Sequence, residues 1–114
     1  MFLAIANELF VCAPAICFVR RVPGPLEQLQ VYFAGRSDPL LVSGEKAEAI
    51  KNNVFQIFVR LSADLHINPS MLIFFKKTIG NLYTLEFAGQ SLELTEFESK
   101  EFYHKVMNPS RIVV

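Results

Sequence analysis

Two cysteines, two histidines and two doubled basic positions are the residues whose chemistry could define a site. Cys12 and Cys17 match neither a C-x-x-C redox or zinc motif nor the cysteine density of a secreted mini-domain, so buried free thiols are expected. His66 and His104 have no second His or Cys at metal-ligand spacing, which predicts ordinary surface or turn histidines and no metal. The five glycines form neither G-x-G-x-x-G nor a Walker loop; Gly35 and Gly89 read as turn residues that allow positive φ. No nucleophile sits in a recognisable elbow or cysteine signature. The expectation is no catalytic residue and no cofactor.

The basic pairs Arg20-Arg21 and Lys76-Lys77, with Arg36 beside a turn, are the candidate contacts for phosphates or an acidic partner. The competing reading is that strand ends carry charge for solubility and to deter edge pairing. Aromatics between basic residues could also stack on single-stranded bases. Phe33 and Phe87 read as core, Tyr32, Tyr83 and Tyr103 as rim, and Phe74-Phe75 as one core and one partner-facing residue.

Across the whole chain, 114 residues with 52% apolar and 19% charged residues describe one globular domain able to bury its own core. Eleven basic against eleven acidic residues give zero formal net charge. No overall field attracts nucleic acid or anionic lipid, and weak repulsion between copies favours self-association. The apolar start, Met1 to Val19, is interrupted by Asn7, Glu8 and Pro14, and its positive charges follow the apolar part instead of preceding it. It is too short and broken to span a membrane, so cytoplasmic residence is expected.

An internal repeat organises the chain. At a shift of 56, Phe2 to Arg21 lies over Phe58 to Lys77: Phe2 meets Phe58, Ile5 meets Leu61, Glu8 meets Asp64, Leu9 meets Leu65, and Phe18 meets Phe74. After a shorter loop, Phe33-Ala34-Gly35 reappears as Phe87-Ala88-Gly89. A further shortening aligns Leu40-Leu41-Val42-Ser43 with Leu92-Glu93-Leu94-Thr95, and Ile50 and Val54 with Phe102 and Val106. The expectation is an α+β fold of two tandem β-β-β-β-α repeats, residues 1–56 and 57–114, packed as one pseudo-twofold domain with mainly antiparallel sheet and two helices.

Within each half, residues 2–6 and 58–62 read as a first strand, followed by polar turns. The β-branched and aromatic runs 15–21 and 71–77 follow, then 29–33 and 83–87, then short strands 40–42 and 92–94. Thr95 with Glu98 has capping-box spacing, and Ser43 can cap the first helix, with Glu45 near its positive end. Ala47, Ile50 and Val54 keep helical spacing, as do Phe102 and Val106. A competing pattern extends the first helix through Phe55, Phe58 and Leu61 to Leu65. The repeat instead ends it near Asn52 or Asn53 and makes 55–61 a strand. Ile112-Val113-Val114 could add a closing strand to a sheet edge.

The order of strands, Gly turn and helix in either half is similar to the last part of LytTR-type DNA-binding domains. The His-Arg-Ser and Val-Asn signature of those domains is replaced here by Val11-Cys12-Ala13 and Ile67-Asn68-Pro69. The resemblance is one of element pattern and transfers no site residue. The sequence points first to a non-enzymatic protein–protein interaction module, a small adaptor or regulatory subunit that binds itself or another protein. The alternatives are a nucleic-acid-binding regulator using the basic strand ends, and a small-molecule-binding domain with a pocket between the halves.

Overall fold

The computed structural model describes residues 2–6 and 9–107. The expected closing strand Ile112-Val113-Val114 lies outside the described residues. In the first half the strands are β1 (Leu3–Ala6), β2 (Leu9–Val11), β3 (Ile16–Val22), β4 (Gln28–Phe33) and β5 (Leu40–Ser43), followed by helix α1 (Gly44–Val54). The second half runs β6 (Val59–Ser62), β7 (Leu65–Ile67), β8 (Leu72–Thr78), β9 (Leu82–Phe87), β10 (Gln90–Glu93) and α2 (Glu96–Phe102). A π-type turn, Tyr103–Met107, extends α2. Each half thus has five strands, not the four expected from sequence. The three-residue strands β2 and β7 are too short to show a period.

The strands form antiparallel sheets: five strands in the order β5-β4-β3-β7-β6, three in the order β10-β9-β8, and the β1-β2 hairpin by itself. The β6-β7 hairpin therefore leaves its own half and joins the sheet of the other. Two apolar clusters result. Ile16 and Val19 of β3 join Leu29, Val31, Val42, Ala47, Ile50 and Val54 in the first. In the second, Leu61, Leu65 and Ile67 pack with Tyr83, Leu85, Phe87 and Phe102. A bulge between Ile16 and Phe18 turns Cys17 and Phe18 into the second cluster, so β3 is buried on both sides.

Helix α1 begins after Ser43, whose side chain makes no capping bond, and buries Ala47, Ile50 and Val54. It stops at Val54, so the long helix through Leu65 does not form. Strand β6 starts at Val59, later than the expected Phe55, because residues 55–57 are spent in the turn that drops Phe58 against the first core. Helix α2 carries the full capping box: Thr95 Oγ1 accepts from the Glu98 N–H, and Glu98 Oε1 accepts from the Thr95 N–H. The turns at Gly35 and Gly89, both with φ of 79°, touch each other. A Cβ on Gly89 would lie 3.2 Å from the Gly35 backbone, which restricts that position to glycine.

Candidate interaction surface

The two long strands β3 and β8 have the same rank in the element order and opposite surroundings. β3 is paired on both edges, by β4 and by β7 in the register Phe18↔Ile67, Val19↔His66 and Arg20↔Leu65. Polar groups fasten β7 there. The Asn68 N–H donates to the Cys17 carbonyl at 2.8 Å, and Asn68 Nδ2 donates to the Ile16 carbonyl at 3.0 Å. Asn68 Oδ1 in turn accepts from Ser70 N and Oγ, which shapes the following 3-10 turn. Arg21 approaches Asp64 at 3.6 Å and its backbone N–H donates to the Asp64 carbonyl. Glu98, a buried residue of α2, accepts from Ser62 Oγ at 3.0 Å and lies 3.9 Å from Arg20.

Strand β8 pairs only with β9, and among the described residues its other edge has no strand. Ile73 and Phe74 are 64% and 53% exposed, where Cys17 and Phe18 of β3 are 0% and 3%. Phe75 is exposed as well, held edge-on against Tyr83 and Phe102 at centroid distances of 5.8 and 5.1 Å. Apolar side chains beside a row of unpaired backbone donors and acceptors are what strand addition needs: main-chain bonds supply affinity and the side chains supply specificity. Strand β8 also carries Lys76 and Lys77, which makes this a mixed apolar and basic edge.

The sequence-predicted basic residues do not gather into one site. Arg20 and Arg21 lie on an interior strand and face Glu98 and Asp64; Lys76 lies 3.8 Å from Glu86 on β9. Arg36 is exposed beside the Gly35 turn, and Lys77 has no ion-pair partner among the described residues. Tyr83 is buried and not at the rim, while Phe87 is core as expected and Phe33 is half-buried. Both Phe74 and Phe75 are exposed.

His66 also departs from the expected surface histidine. It is buried in β7, stacked on Phe55 at 3.7 Å, and burial, with Arg60 and Lys105 nearby, lowers its pKa to about 4. Phe55, Arg60 and Lys105 reach it from three different elements, so spacing in the sequence carried no signal of this environment. Cys17 is a buried thiol whose pKa is pushed up to about 11 by burial, and Cys12 is half-buried. Both are free. Among the described residues no three His, Cys, Asp or Glu come together as a metal group. No described helix is long and apolar enough to cross a membrane. A depression of about 720 Å³ is lined by Leu26, Glu27, Glu45 and Glu48 among others, all in the first half, and does not lie between the halves.

The open edge was only partly visible in the sequence: the apolar run Ile73-Phe74-Phe75 could be read, its lack of a covering strand could not. Compared with known proteins, the chain matches no family model, no curated protein and no solved structure.

Proposed function

We propose that this chain is a non-enzymatic protein–protein interaction module, a small adaptor or regulatory subunit, that binds through the open edge and outer face of β8. One observation carries this reading: Ile73, Phe74 and Phe75 are exposed on a strand whose counterpart β3 buries Cys17, Phe18 and Val19 completely or nearly so. Leaving three large apolar side chains in water on an unpaired edge costs stability and invites aggregation, and a binding partner removes both penalties.

The test is light scattering after size-exclusion chromatography, in reducing buffer, over a hundredfold concentration range, on the natural chain and on Phe74→Lys. A concentration-dependent mass that Phe74→Lys weakens by about tenfold or more in dissociation constant is the expected result. The side chain is already exposed, so the substitution leaves the fold intact. Association that is indifferent to Phe74→Lys would place the binding surface elsewhere.

A further inference from the structure

The molecule contains a template for what covers β8. In the chain itself, β3 is covered by a hairpin, β6-β7, whose strand β7 is joined to the next long strand by a 3-10 turn. The first half carries a hairpin of the same make. β1-β2 has the same strand lengths, the same shift in its pairing and the same 3-10 turn before β3. It pairs with no other strand among the described residues, and Phe10 on β2 is 58% exposed. Among the described residues, then, one hairpin is joined to no other strand, and β8 has an open edge where its counterpart β3 has a covered one.

We infer that β8 is the docking edge for the β1-β2 hairpin of a second copy of this chain, antiparallel and in the register Phe74↔Val11, Phe75↔Phe10 and Lys76↔Leu9. This rests on the reading of β8 as an interaction surface and names its occupant. The register is that of β7 on β3, carried to the residues of the same rank. It puts Phe10, an exposed aromatic, beside Phe75, another, and lays a strand along the edge of Phe74 as β7 lies along the edge of Phe18.

Charge fits the same register. Arg21 of β3 meets Asp64 of the β6-β7 turn. Lys77 holds the place of Arg21, and Glu8 holds the place of Asp64 in sequence. In sequence, therefore, a lysine and a carboxylate stand at the ranks that Arg21 and Asp64 hold in the paired example. The zero net charge leaves no general repulsion between copies to oppose the contact. Each copy offers both this hairpin and this edge, so a reciprocal exchange pairs the two and closes a dimer.

The experiment places a cysteine pair at the inferred register, Leu9→Cys with Lys76→Cys, in a Cys12→Ser background; Cys17 stays because it is buried and unreactive. A shifted pair, Leu9→Cys with Lys77→Cys, serves as the control, since one residue of slip turns the side chain to the other face. Mild oxidation followed by non-reducing electrophoresis is expected to link separate chains through the first pair and at least about tenfold less through the second. A disulfide closed within one chain would overturn the second-copy occupant, and so would light scattering that shows an association sensitive to Phe74→Lys with no cross-link. That last result would leave the interaction surface standing. A mass that stays monomeric at every concentration, with no cross-link, would overturn the inference and remove self-association from the broader reading.

Discussion

The β6-β7 hairpin is fastened to a neighbouring sheet and the β1-β2 hairpin is not, although the strands around them are laid out alike. The difference lies in a few polar residues. Where the second half has Asn68 bonded to the Ile16 carbonyl, the first has Cys12, a weak donor. Where Glu98 ties α2 to Ser62 and Arg20, the first half has Lys46 on its helix and Ala6 at the end of its strand. Apolar burial is non-directional and holds both hairpins near their own cores, with Val11 in one and Leu65 and Ile67 in the other. Directional bonds to β3 then decide which hairpin crosses over.

That contrast can be broken first through His66, with the largest expected effect. In the folded chain it stays neutral down to about pH 4, whereas an unfolded histidine protonates near 6.5. Between those values the unfolded state binds more protons, so stability is full above about pH 6.5 and falls as the pH drops toward 4, by about 3 kcal/mol in all. His66→Phe, which copies the residue of the first hairpin at Phe10, should flatten that slope. Urea denaturation of both proteins from pH 7 to 4 measures it; equal slopes would mean that His66 is hydrated in the folded chain.

Asn68→Ala comes next. It leaves the Ile16 carbonyl without its side-chain donor and the 3-10 turn without its cap, an expected loss of about 2 kcal/mol. Cys12→Ala, at the corresponding place, should change stability by less than about 0.5 kcal/mol. Chemical denaturation of the two variants side by side sharpens the comparison, and similar losses would show that the first turn is anchored too.

The smallest effect separates the helix starts. Thr95→Ala removes a capping-box bond and should cost about 1 kcal/mol. Ser43→Ala removes a side chain that makes no capping bond and should cost a few tenths at most. Thermal unfolding followed by circular dichroism resolves the pair.

Much of this architecture was legible in the chain. Local patterns delivered the α+β class, the long strands (expected at 15–21 and 71–77, found one residue later), the start of α2 from Thr95 and Glu98, and the buried stripe Ala47, Ile50 and Val54, because each depends on neighbours a few residues away. The short strands β2 and β7 were missed because three residues are too few to alternate visibly. The surroundings of the candidate site were not legible either. Phe18 and Phe74 are both apolar strand residues of the same rank, and nothing near either in sequence says that one is 3% and the other 53% exposed.

By itself, then, the sequence determined which residues are apolar, where the chain turns and caps, and that no long-range field or familiar catalytic motif is present. Tertiary structure decided which strand edge is paired and which is open, and that His66 is dry while Phe10 is wet. Edge pairing is settled by contacts between segments some fifty residues apart, as when Asn68 reaches Ile16. Such contacts follow from the packing of whole elements, so no window along the chain contains both partners.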